Sequence, residues 1–354
     1  MGLLSLSKRL LAIALLLLIG CASTVTPRTE VEPRAVLEER FIQRTIALEQ
    51  TLQDENRIQN VSFPLLQGAA EFCRSQVIKS VGMEVATGFD FEEEFQRAAR
   101  ELSIGASVTV THVASEGPAA IAGLKAKDII TAVNNNPLIS GANASSVFRN
   151  LLNEELSDPS SIVLSVRREN EELEFSIEPV VVCDYPVQLV LTDDLNAYAD
   201  GSSVYITRRM LRFTESDKEL ALVVAHELAH NIMGHIDKQQ QNYWLGTAFD
   251  IAARTQGWDT DGYFGEQTGK AYTQDFEAEA DYVGMYILAN SGMDLDGATY
   301  FWRRMAVESP ANIASGHTST NPATAERFLA LESAVEEIAQ KRASDVPLRP
   351  ELKQ

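Results

Sequence analysis

The chain has 354 residues, 45% of them apolar, enough for two domains of ordinary size, each with its own core. Its formal charge of −20 excludes a general nucleic-acid binder, which needs basic rather than acidic surface.

The first residues carry Lys8 and Arg9 and then an apolar run from Leu10 to Ile19, too short to span a bilayer comfortably, which reads as an export signal over residues 1–20. Leu18-Ile19-Gly20-Cys21 resembles the bacterial lipobox, which implies cleavage before Cys21 and its acylation. Ala22 after the cysteine favours, by the same resemblance, the outer membrane of a bacterial envelope, with the body in the periplasm. Residues 21–35 hold prolines, mixed charge and no apolar period, the texture of a tether. From there to residue 100 a helical segment packing on the rest of the chain is expected. Leu37, Phe41, Leu48, Leu52 and Ile58 recur at helical spacing, and that helix is expected to end near Asn60. With Cys21 committed to lipid, Cys73 and Cys183 form an even pair in an oxidising compartment. A disulfide and two separate buried thiols both remain open.

Residues 101–180 read as strand, short helix, strand, helix and hairpin. Gly117, Pro118, Ala119, Ala120, Ala122, Gly123, Leu124, Asp128, Ile130 and Asn134 resemble the core of a PDZ domain of the bacterial protease type. Lys127 stands where that family usually has glycine. The resemblance implies a groove that adds a peptide strand to a sheet edge, beside a helix from about Ala142 to Leu152.

Residues 183–340 open with two short strands and turn helical. Ser216 and Glu219 form a capping-box signature, so a helix should start there and run through ELALVVAHELAHNIMGH, apolar on nearly every side and therefore buried. On it His226 and His230 lie one turn apart and face one pocket, with Glu227 beside them. Two neutral imidazoles suit zinc, and the carboxylate can take the proton of a metal-activated water. A third ligand is expected in TQDFEAEADYVGMYILANSG, a second helix. There Glu277 can ligate, and Asp281, four residues on, can orient a ligand histidine. Glu279, about 200° round the helix from Glu277, reads as a solvated charge. His235, five residues after His230, falls on another face, and His112 lies in the PDZ-like part.

HELAH followed by EAEAD resembles the HtpX, BepA and CAAX prenyl endopeptidase family of zinc metallopeptidases. NAYADGSSVYIT is similar to that family's substrate-binding edge strand, and STNPATAERF to its closing motif. The resemblance implies an α+β fold, a mainly helical zincin-type domain with a small sheet beside the β-rich PDZ-like domain. It also implies one Zn2+ per chain on His226, His230 and Glu277, with Glu227 as general base and Asp281 behind the ligands. Ser203, Val204 and Tyr205 would then be the substrate edge, and Arg327 a further residue of the catalytic site. Asn321 stands where the family commonly has histidine. It reads equally as the cap of the following helix or as a neighbour of the zinc, with His317 the alternative visitor from the loop before it. Members embedded in the membrane have long apolar spans after the zinc helix. Tyr243 to Ala253 is short and broken by Asp250, so a lipid anchor alone is expected. Residues 341–354 read as a tail. The function implied is cleavage of extended or misfolded envelope proteins, with protein or peptide substrates and the PDZ module holding substrate or gating access. The alternative is a periplasmic chaperone that binds clients through the PDZ groove with little proteolysis.

Overall fold

The computed structural model describes residues 26, 29–157, 161–256, 258–270, 273–308 and 325–351. Cys21, His317 and Asn321 lie outside them. The chain divides after Gln43 into a small N-terminal unit and a body from Arg44 onward.

A long helix, α1 (Pro33–Gly68), begins inside the expected tether and runs eight residues past the expected end at Asn60. The reason is burial: Val61, Phe63, Leu65 and Leu66 are enclosed on successive faces, which erases the one-sided period that marks a surface helix. Pro64 interrupts the ladder without ending the helix. At Gly68 the chain passes so close to another segment that a Cβ would sit 2.6 Å from the Ser291 backbone nitrogen.

The segment expected to be helical up to residue 100 instead contains two strands, β1 (Val77–Ser80) and β2 (Met83–Ala86). β1 pairs antiparallel with β8 (Val180–Cys183), Val77 opposite Cys183. Cys73 and Cys183 are joined by a disulfide with their Cα atoms 5.7 Å apart. This neck brackets the PDZ-like module. Its sheet runs in the order β2, β3 (Thr109–Val113), β4 (Ile129–Val133), β6 (Ile162–Arg168), β7 (Glu171–Ile177), with β5 (Asn136–Pro137) against β4. The module's sheet therefore starts at residue 83, ahead of the boundary expected at 101. Helix α2 (Ala144–Glu155) completes it, with Phe148 buried among Val85, Val110, Ile130 and Leu164. β2 is the edge of the sheet, and Arg149 of α2 donates to the Val85 carbonyl at 3.2 Å. Lys127 holds a left-handed conformation, φ 76°, so the turn keeps its glycine geometry without the glycine.

The second part carries a three-stranded sheet and a set of helices. β11 (Val204–Thr207) lies between β9 (Val187–Val190), to which it is parallel, and β10 (Ala197–Ala199), to which it is antiparallel. Val204 and Tyr205, expected on a free edge with Ser203 beside them, are thus in the central strand, with both sides paired. The edge toward which NAYADGSSVYIT pointed is β10. Short sequence runs do not reveal strand order, because which neighbour pairs is decided by the chain that returns alongside.

Helix α3 (Asp217–Ile232) starts as expected, with the Ser216 hydroxyl accepting from the Glu219 amide at 3.3 Å. It stops at Ile232, short of the expected end, because Gly234 is left-handed at φ 65°. A new helix, α4 (His235–Thr255), then begins and folds back on α5 (Tyr263–Lys270). The two meet at Gly246, where a Cβ would lie 2.2 Å from the Phe264 carbonyl oxygen. Asp250 accepts the Phe264 and Gly265 amides at 3.1 and 2.7 Å, so it caps α5 rather than merely breaking an apolar run. Among the described residues no helix is long and apolar enough to cross a membrane. Helices α6 (Thr273–Asn290), α7 (Ala298–Glu308) and α8 (Ala325–Ala343) follow. α3 and α6 pack closely, with Gly284 facing the Ala225 backbone. The residues expected to form a tail return to the body: Asn290 donates to the Leu348 carbonyl at 2.9 Å, and the Glu351 amide donates to Tyr282 at 3.0 Å.

Candidate metal centre

The close pairing of α3 and α6 sets the site. His226 and His230, one turn apart on α3, turn their Nε2 atoms toward each other at 3.2 Å. Glu277 of α6 faces both, with Oε2 3.3 Å from His226 Nε2 and Oε1 3.4 Å from His230 Nε2. One donor atom from each of the three lies within 4.8 Å of the others, an arrangement able to hold a metal ion. Glu227 sits between the two histidines in sequence and is half-buried.

Behind this triad the ligand rings meet further side chains. His226 Nδ1 is 2.9 Å from Asp281 Oδ1, though off the alignment of a full hydrogen bond. Asp281 is itself clasped by Arg327 of α8, whose Nε faces Oδ2 and whose Nη2 donates to Oδ1 at 2.8 Å. Arg327 also reaches Glu277, Nη1 to Oε2 at 3.6 Å, and lies over the Trp302 ring at 5.1 Å. Trp302 in turn packs 5.2 Å from the His226 ring.

The electrostatics follow from burial and these neighbours. For His226, burial opposes the charge, but Asp281 and Glu277 outweigh it and push its pKa up to about 10. Glu277 and Asp281 are buried too, which would raise them, yet the facing histidines and Arg327 hold both below the usual carboxylate range. Burial pushes Glu227 up, against the pull of His226, His230 and Arg327.

Two residues set aside in the sequence belong to this cluster. His235 is buried, its Nδ1 3.0 Å from His230 Nδ1, and its Nε2 is 2.7 Å from Glu279 Oε2. Glu279 is therefore paired, not a solvated charge. An unbroken helix would have put His235 on another face; the left-handed Gly234 ends that helix and returns the ring to its last turn. Gly before His was the available signal. Trp302 carried no sequence signal at all.

The sequence profile of peptidase family M48 matches residues 165–335, and that of the PDZ domain matches residues 81–178. The chain carries an M48 peptidase domain and a PDZ domain. M48 members are metal-dependent peptidases, and residues 165–178, shared by the two matches, lie in the β6–β7 hairpin of the PDZ sheet. The chain is similar to the beta-barrel assembly-enhancing protease of Yersinia pestis, 31% identical over 34% of this chain and 28% of that protein. It is also similar to the mitochondrial metalloendopeptidase OMA1 of Schizosaccharomyces pombe, 26% identical over 40% of this chain and 44% of that protein. The chain thus spans less than half the length of these relatives. The PDZ part is similar to the HtrA3 PDZ domain solved with a phage-derived ligand, 29% identical over 30% of this chain and 88% of that one, TM-score 0.23.

Proposed function

We propose that the chain is a zinc endopeptidase of the bacterial envelope that cuts extended or misfolded protein segments, with zinc held by His226, His230 and Glu277. The donor spacing carries this reading. Bonds of about 2.05 Å at tetrahedral angles put neighbouring donors roughly 3.3 Å apart, as zinc prefers. Here the two Nε2 atoms are 3.2 Å apart, and the Glu277 carboxylate meets His226 through Oε2 at 3.3 Å and His230 through Oε1 at 3.4 Å, with one donor from each residue within 4.8 Å of the others. The donor types, two imidazoles and one carboxylate, leave a fourth position free for substrate or water.

A bound zinc ion supplies Lewis acidity, acidifying water and polarising a peptide carbonyl. The chain's residues do the rest. Glu227 takes the proton of the attacking water and delivers it to the leaving amine. Burial raises its pKa above the ordinary carboxylate value, which favours accepting that proton. Asp281 and Arg327 fix the His226 ring. The substrate backbone adds to β10, which among the described residues pairs with β11 only. Asn231 of α3 ties the β10–β11 turn to the metal helix, accepting from the Gly201 amide at 2.8 Å and donating to the Ser203 carbonyl at 2.9 Å. A segment laid along β10 is therefore held beside the helix that bears Glu227. The PDZ module, fastened at the β1–β8 neck, presents its own edge strand β2 for holding substrate or gating access. Cys21 supplies a lipid anchor on the periplasmic side, with the outer membrane favoured. Purified chain incubated with unfolded casein should degrade it, stop on chelation and recover with zinc. Chelator-resistant cleavage, or none with zinc restored, would reject this reading.

A further inference from the structure

We infer that His235 and Glu279 are positioning residues that hold His230 in its metal-binding tautomer through a hydrogen-bonded chain. This rests on the reading of His230 as a ligand. His230 turns Nε2 to the other donors, so in the neutral, metal-binding form its proton sits on Nδ1 and must be donated outward. The atom it meets is His235 Nδ1, at 3.0 Å. To accept, that nitrogen must be bare, which puts the His235 proton on Nε2, where Glu279 Oε2 waits at 2.7 Å. One proton then lies between each pair, and none is missing or surplus.

Both His235 nitrogens are engaged, so it has no lone pair left for the metal and is not a fourth ligand. Its ring is clamped by stacking on Phe276, centroids 4.6 Å apart and planes 18° from parallel, and its side chain is 1% exposed. Lys238 Nζ stands 3.8 Å from the same Glu279 oxygen and favours the carboxylate's charge. The result parallels the other ligand. His226 is backed by Asp281, and His230 is backed through His235 by Glu279. Both chains end on carboxylates of α6, so one helix provides a ligand and orients the other two. Such supports typically govern metal affinity by roughly 10- to 100-fold.

The test uses the full chain and three variants, read by zinc competition against a chromophoric chelator and by the visible spectrum of the cobalt-substituted protein. His235→Phe keeps the stacking ring but no acceptor, and it should weaken zinc about 10- to 100-fold and shift the cobalt bands. In His235→Gln, the amide oxygen can accept from His230 and the amide nitrogen can donate to Glu279. Most of the affinity and the native spectrum should return. Glu279→Ala, at a partly exposed position that tolerates truncation, should weaken zinc several-fold with an unchanged metal-free melting temperature. If His235→Phe and Glu279→Ala bind zinc as the parent does, while His230→Ala loses it, the positioning role is wrong and the metal centre stands. Parent-like zinc binding by His230→Ala would overturn the centre itself and this role with it. Three imidazoles on the metal by X-ray absorption would make His235 a ligand and equally overturn the inference.

Discussion

Replacing Arg327 with methionine removes the cation that holds the back of the site while keeping most of its apolar stem. The arginine and Asp281 side chains are 10% and 5% exposed, so solvent does little to screen their interaction. The pair is bidentate, and Arg327 also stands 3.6 Å from Glu277. Without it, two carboxylates one turn apart on α6 keep the imidazoles of α3 but lose the guanidinium that balances their charge. Breaking one side of such a buried pair costs about 3–5 kcal/mol, mostly the penalty of the charge left behind. Urea denaturation of the metal-free protein should therefore show Arg327→Met destabilised by that amount. Adding Asp281→Asn should return about 2 kcal/mol or more, since the orphaned charge is gone. A single-variant cost below about 1 kcal/mol, or a cycle with no coupling, would refute the idea that charge pairing, rather than packing against Trp302, is what Arg327 contributes.

The Cys73–Cys183 bond, 110 residues apart in sequence, should contribute about 4.8 kcal/mol by the chain-entropy relation. Urea midpoints with and without reductant measure it, and coincident curves would contradict it. Metal-free His226, with a pKa near 10, is protonated at pH 7 and must be neutral to ligate, so zinc binding should release about one proton there. Affinity should accordingly rise about tenfold per pH unit through neutrality. Calorimetry in buffers of different ionisation enthalpy reads the release, and no net release would contradict the assignment. Gly234→Ala places a Cβ in a left-handed turn at about 1–2 kcal/mol, and because that turn returns His235 to His230, it should weaken zinc as well. Loss of stability with parent zinc affinity would separate the turn from the site.

How much of this was legible in the sequence depended on how local each feature is. His226, Glu227 and His230 are fixed by one helical turn, and Glu277 and Asp281 by another, so periodicity alone put each set on one face. The PDZ-like module declared itself through turn glycines and its strand order along the chain. What failed was whatever depended on a partner distant in sequence. β11 looked like an edge because β9 and β10, which enclose it, are paired by tertiary folding. α1 ran past Asn60 because burial on all sides removed the period that marks a helix. His235 was discarded by arithmetic that assumed an unbroken helix, and one left-handed glycine undid that assumption.

The central claim, a metal held by His226, His230 and Glu277 with Glu227 as the base, is tested most directly by Glu227→Gln, which keeps shape and hydrogen bonding but cannot take the proton. Metal analysis alongside casein cleavage should find one zinc per chain in both proteins. Turnover in the variant should fall by about 10²- to 10⁴-fold, the usual contribution of a general base. A variant that cleaves as fast as the parent, or one that loses its zinc, would contradict the account.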